Sequence, residues 1–254
     1  MEWNDRDSAL ILPVELQLRP PLLYLQHSNF FYFKQSTIYD QNPVASNTMA
    51  SSDASLASKA TPNITPSDAV LHVHSARLID APSSTVWDVL IDTSTWPSWN
   101  TFVPRVTIRE QPGSDPTAET PLSPVLQQGT KMTFHVHMDP SSSSEQDVPL
   151  VVATFTPPDM ATRRPGRIVW TNDESASGAI PGWLLRAERV HEVEEVEVAD
   201  TNGQVQTRTE VRNWEAQVGY LVYVVRWMYA STLKRNFEAW VGDLQQYVER
   251  MRQE

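Results

Sequence analysis

Four polar residues, spaced two apart on two stretches of chain, are the strongest candidates for chemistry. Arg189 and His191 lie in WLLRAERVHEVEEVEV, and Asn213 and Glu215 in QVQTRTEVRNWE. Between the stretches, Thr201-Asn202-Gly203 has hairpin composition, with Gly203 suited to left-handed backbone. A three-residue loop there pairs Asp200 with Gln204, Arg189 with Glu215 and His191 with Asn213. By the period of two, all four then share the face of Trp183, Leu185, Ala187, Val193 and Val211. An imidazole can take a proton near neutral pH, a guanidinium can hold a developing oxyanion, and a carboxylate and an amide can orient them. The same residues also read as an Arg189–Glu215 ion pair keeping two strands in register, with His191 and Asn213 merely hydrogen-bonded. Residue types and spacing leave both readings open.

Other candidates are weaker. His72/His74 and His135/His137 each place two imidazoles on one strand face, but no carboxylate is visibly aimed at them, so they read as solvated histidines. Arg77 has an ambiguous facing. If inward, it would anchor a carboxylate or enolate. The chain has no G-x-S-x-G, P-loop, G-x-G-x-x-G or H-E-x-x-H. It contains no cysteine, which removes disulfides, thiolate ligands and cysteine nucleophiles together. No metal and no cofactor is called for. The formal charge of −11, from 31 acidic and 20 basic side chains, opposes binding to nucleic acid or to an anionic surface. The longest apolar run, residues 220–230, contains Arg226 and falls short of the roughly 20 residues that cross a bilayer. With no export signal visible, the expected location is the cytoplasm.

The elements that must position these residues follow from periodicity. Residues 1–40 show no clean period. Residues 41–68 are rich in Ser, Ala, Thr, Asn and Pro, so 1–68 reads as a poorly structured extension, and 1–48 as dispensable. From residue 69 the texture becomes that of one folded domain reaching 254. AVLHVHSARLI reads as a strand, and Ala81-Pro82-Ser83-Ser84 offers hydroxyls to cap a short helix carrying Val86, Val89 and Leu90. A second short helical turn holds Trp96-Pro97-Ser98-Trp99. FVPRVTIRE, KMTFHVHM, VPLVVATFT and GRIVWTN read as further strands before the hairpin, and a long helix runs from about Val218 to Arg252. On it Tyr220, Tyr223 and Trp227 form a second apolar stripe, which would pack on the N-terminal segment, line a cavity mouth, or contact a second copy or another protein.

ARLIDAPSSTVWDVLIDTSTWPSWNTFVPRV, GRIVW, TEVRNWEAQVG and the terminal LQQYVERM together resemble the START-like or SRPBCC superfamily of helix-grip proteins, of polyketide cyclase/dehydrase and lipid-transport type. The resemblance spans about residues 69–252. It implies an α+β fold in which a curved seven-stranded antiparallel sheet wraps a long C-terminal helix, two short helices close one end, and an apolar cavity remains. Trp96 and Trp99 then act as wedges that seal the short helices against sheet and helix.

The resemblance further implies a hydrophobic small-molecule ligand held by Phe134, Trp170, Trp183, Leu185, Leu221, Val225 and Tyr229. A polyketide-like substrate of secondary metabolism would be closed there by aldol or lactone formation. His191 would be the base and Arg189 the oxyanion partner, with Glu215 and Asn213 orienting them. The alternative is a non-catalytic carrier or chaperone for a lipid, quinone or other apolar metabolite.

Overall fold

The structure is a computed structural model that describes residues 55–115, 120–140, 142, 144–199 and 202–253. The expectations for residues 1–48 lie outside the described residues. The element order is β1 (Leu71–Ile79), α1 (Ser83–Ile91), a 3-10 turn (Trp96–Ser98), β2 (Arg105–Glu110), β3 (Lys131–Val136), β4 (Gln146–Thr156), β5 (Gly166–Asn172), β6 (Arg186–Ala199), β7 (Val205–Val218) and α2 (Val222–Met251). All strand pairs are antiparallel, in the order β1-β7-β6-β5-β4-β3-β2. This is the helix-grip arrangement, with the second short helix reduced to a single turn.

The β6–β7 register is the expected one, unbroken from Arg186 opposite Val218 to Ala199 opposite Val205. Gly219 then ends β7 at φ +115. A side chain there would stand 2.4 Å from the Leu184 carbonyl, so the close approach admits only glycine. The long helix therefore starts at Val222, later than periodicity suggests, because Val218 is still strand. Its 30 residues span about 45 Å. Val222, Leu233, Phe237, Trp240, Val241, Leu244 and Val248 are its buried apolar positions.

Helix α1 buries Val86, Val89 and Leu90 as expected, but its N-terminus is capped differently. Pro82 occupies the cap position with no side-chain bond, and the Ser83 amide donates instead to Glu195 of β6 at 3.0 Å. A carboxylate there also opposes the positive end of the helix dipole.

Trp96 and Trp99 are wedges, as the resemblance implies. Trp96 is fully buried, edge-on to Trp240 at 4.9 Å and to Phe134 at 5.3 Å, and Trp99 meets Trp240 at 5.8 Å. Their indole N–H groups donate to the Leu90 carbonyl and the Thr95 hydroxyl, so burial leaves neither donor unpaired. Asn100 turns the chain by accepting from the Val103 amide at 2.8 Å.

Residues 55–68, whose composition reads as part of a poorly structured extension, pack on the outer face of the sheet. Leu56 is fully buried among Val169, Val190 and Trp214. Glu188, 2 % exposed, accepts from the Thr61 hydroxyl and from both the backbone and side-chain amides of Asn63. Lys59 pairs with Glu192 at 2.8 Å, and Trp214 donates to the Ala60 carbonyl. Few apolar residues are needed because hydrogen bonds to buried acceptors hold the segment.

Candidate functional site

Between the concave sheet face and α2 lies a partly open cavity of about 220 Å³. That is somewhat larger than the roughly 150 Å³ void that accepts benzene. Phe134, Trp170, Leu185, Val225 and Tyr229 line it, as the sequence suggests, together with Phe102, Met138 and Leu233. Two expected wall residues are elsewhere. Trp183 is 67 % exposed, because β6 begins only at Arg186 and residues 181–184 form a turn to which strand parity does not extend. Leu221 sits before the first turn of α2, its amide donating to Leu184, and does not reach the cavity wall.

The charged part of the wall is the Arg189–Glu215 pair. Arg189 Nε donates to Glu215 Oε2 at 2.8 Å, and both side chains are nearly buried. Phe237 lies 4.1 Å from the guanidinium and Phe102 5.3 Å, so the cation is also held by ring faces. Burial lowers the Arg189 pKa, and the Glu215 charge opposes that shift. Gln217 donates to the second oxygen of Glu215. Gln146, Asn172 and the phenol of Tyr229 add further polar groups to the lining residues, and Asn172 is fixed by accepting from the Ala187 amide at 2.7 Å. Gln217 is legible from parity, two residues beyond Glu215 on the same strand face. Gln146 and Asn172 carry no such signal, since they come from the ends of strands whose register only the fold defines.

His191 and Asn213 are brought opposite each other as expected but do not line the cavity. His191 is fully buried behind Trp170, 4.6 Å between ring centres, and Trp240, 5.2 Å. Burial, and then the nearby positive charge of Arg189, hold its pKa well below the ordinary histidine range. Neither ring nitrogen of His191 nor either amide atom of Asn213 has a partner among the described residues. The imidazole expected to be the base is thus fully buried and is not among the residues that line the cavity. Parity chose the right face, but the His191 ring packs against Trp170, which is the residue that lines the cavity there.

The remaining candidates resolve clearly. Arg77 shares the inward parity of Ile79 and lies beside Gly242 of α2, away from the cavity wall. His135 and His137 do meet carboxylates. His135 Nδ1 is 2.7 Å from Asp147, its Nε2 is 2.8 Å from the Thr107 hydroxyl, and His137 is 3.3 Å from Glu145. Those contacts sit on strand faces opposite the cavity. Among the described residues, no group of three or more His, Cys, Asp or Glu is placed to hold a metal ion. No helix among them is long and apolar enough to cross a membrane.

A curved antiparallel sheet gripping one long helix around an apolar cavity defines the class, and comparison with known proteins agrees. The family model for polyketide cyclase / dehydrase and lipid transport matches residues 70–135, from β1 into β3. "Oxopyrrolidines biosynthesis cluster protein O" of Penicillium oxalicum is 44% identical over 177 residues, 69% of this chain and 85% of that protein. The chain belongs to the polyketide cyclase/dehydrase and lipid transport family. Among solved structures, a hypothetical protein of Helicobacter pylori superposes with a TM-score of 0.51 at 16% identity, over 72% of this chain and 90% of its own. The Zhui aromatase/cyclase of Streptomyces sp. R1128 gives a TM-score of 0.42 at 15% identity, over 70% and 93%.

Proposed function

We propose that this protein binds a hydrophobic, polyketide-like intermediate of secondary metabolism in the cavity and promotes its cyclisation. The observation that carries the reading is the Arg189–Glu215 pair on the wall of an otherwise largely apolar cavity. Glu215 takes a proton from an acidic carbon between two carbonyls. The resulting enolate attacks a second carbonyl of the same chain, forming the ring bond, and Arg189 stabilises the oxygen anion that develops. The proton then returns from Glu215 to that oxygen, so the step is balanced without a cofactor. Gln217 holds Glu215 in place, and the aromatic walls select one folded conformer of the substrate. The relative from an oxopyrrolidine biosynthesis cluster supports a role in secondary metabolism.

The test is product analysis by mass spectrometry with a linear poly-β-keto thioester as substrate. Wild type should release cyclised product, while Glu215→Gln should bind the substrate and turn it over at least about a hundredfold more slowly, the usual share of a general base. Unchanged turnover in Glu215→Gln would overturn the assignment.

A carrier is the second reading. Arg189 and Glu215 already satisfy each other, and much of the wall is apolar, as a container for an unreacted apolar metabolite requires. A carrier would return its ligand chemically unchanged from both proteins.

A further inference from the structure

Exposed large apolar side chains are not scattered evenly. Seven of the eleven among the described residues, Ile180, Trp183, Tyr220, Tyr223, Val224, Trp227 and Met228, come from the turn before β6 and the start of α2. Trp227 is 84 % exposed and Tyr220 75 %, and Trp183 contacts Tyr220 at 6.4 Å between ring centres. The turn and the helix start are tied together by the Leu221 amide donating to Leu184. This patch continues into the cavity, because Leu185, Val225 and Tyr229 are half-buried lining residues adjacent in sequence to exposed members of the patch or to its turn.

The charges beside the patch differ from those of the chain as a whole. Between Val222 and Phe237, α2 carries Arg226, Lys234 and Arg235 and no acidic residue, and Lys234 and Arg235 follow Tyr223, Val224, Trp227 and Met228 on one helical face. Acidic groups also lie at its margins: Glu174 beside Gly182, Glu238 one turn beyond Lys234, and Asp139, next to the Met138 carbonyl that Asn236 bonds. At physiological ionic strength, charges further than about 8 Å from a surface are largely screened, so a surface in contact meets Arg226, Lys234 and Arg235 rather than the net charge of the whole chain.

We propose that this aromatic and basic face docks on an anionic lipid surface, with the cavity mouth turned toward the bilayer. Trp and Tyr are the side chains that settle at the boundary of headgroup and hydrocarbon, and lysine and arginine one or two turns further along the helix reach lipid phosphates. Val225 and Tyr229 place the cavity beside the buried face, so a hydrophobic ligand passes between membrane and cavity without crossing water. Tyr223, stacked on Arg226 at 5.7 Å, joins the two parts of the surface. Docking this way is interfacial and calls for no membrane-spanning segment.

The experiment is co-sedimentation of the full chain with vesicles of phosphatidylcholine alone and of phosphatidylcholine with phosphatidylserine. Variants are Trp227→Ser/Tyr223→Ser and Lys234→Glu/Arg235→Glu, all at exposed positions. Wild type should sediment with the phosphatidylserine vesicles and more weakly with phosphatidylcholine alone. The aromatic double variant should lose at least about tenfold in partitioning, from the apolar area no longer buried. The charge reversal should abolish the preference for phosphatidylserine. Wild type remaining in the supernatant with both vesicles, or both variants sedimenting like wild type, would overturn the proposal. So would a dimer that binds no vesicles and dissociates in Trp227→Ser/Tyr223→Ser, which would assign the face to a second copy of the chain. The probe is lipid, not a cavity ligand, so the result is independent of whether the cavity is catalytic.

Discussion

Replacing Glu215 with leucine should destabilise the protein more than replacing Glu215 and Arg189 together with apolar residues. The two side chains are 8 % and 10 % exposed and 2.8 Å apart. At an effective dielectric of 20, their attraction at that distance is about 6 kcal/mol. Desolvating the ions costs several kcal/mol for each, so the intact pair comes close to break-even. Removing Glu215 alone removes the attraction but leaves the Arg189 guanidinium in its buried site, at a cost of about 3 to 5 kcal/mol. Glu215→Leu/Arg189→Met removes the desolvation penalty as well and should lie within about 1.5 kcal/mol of wild type, as volume-conserving swaps do. Removing Arg189 alone strands the Glu215 carboxylate at a similar cost, so urea unfolding by linear extrapolation of wild type, both single variants and the double variant gives the coupling directly, expected at about 5 to 8 kcal/mol. A coupling below about 1 kcal/mol, the value of an exposed pair, would refute the view that these charges are desolvated together on the cavity wall.

Other consequences are equally direct. Leu56→Ala should cost about 2 to 5 kcal/mol in the same urea assay, the range for a fully buried leucine, although residues 55–68 read as a poorly structured extension by composition. Mild acid should weaken the fold through its buried histidines. The folded-state pKa of His191 lies below its unfolded value near 6.5, so the unfolded chain binds the additional proton and stability falls as pH drops below about 6.5, by up to about 1.4 kcal/mol per pH unit. Burial depresses His72 in the same sense. A His191→Phe variant should therefore keep only the smaller slope due to His72 between pH 6.5 and 5, read from urea midpoints across that range. Trp96→Ala should cost about 3 to 5 kcal/mol, measured by thermal or urea unfolding, because four aromatic rings lose their common neighbour.

Strand pairing was the most legible feature, and the reason is physical. The hairpin composition of 201–203 and the period of two together determine which residues oppose each other, so Arg189–Glu215 and His191–Asn213 follow from counting. Depth does not follow from counting. Whether an inward side chain meets the cavity or the back of a tryptophan depends on where α2 lies, and Trp240 comes from sequence far from His191. Trp183 shows the limit of parity, since alternation carries no information past the point where the strand gives way to a turn. Residues 55–68 show the limit of composition. Their Thr61 and Asn63 are polar by type, yet both are fastened to the buried carboxylate of Glu188.

The most direct measurement is mass spectrometry of small molecules extracted from the protein purified from its own host, with wild type beside Glu215→Gln and Val225→Trp. Val225→Trp fills the cavity from α2 and should carry nothing. Glu215→Gln should retain a linear, uncyclised precursor that wild type does not accumulate. The same compound in Val225→Trp as in wild type would contradict the cavity as the binding site, and an identical compound in wild type and Glu215→Gln would contradict the role of Arg189 and Glu215 in ring closure.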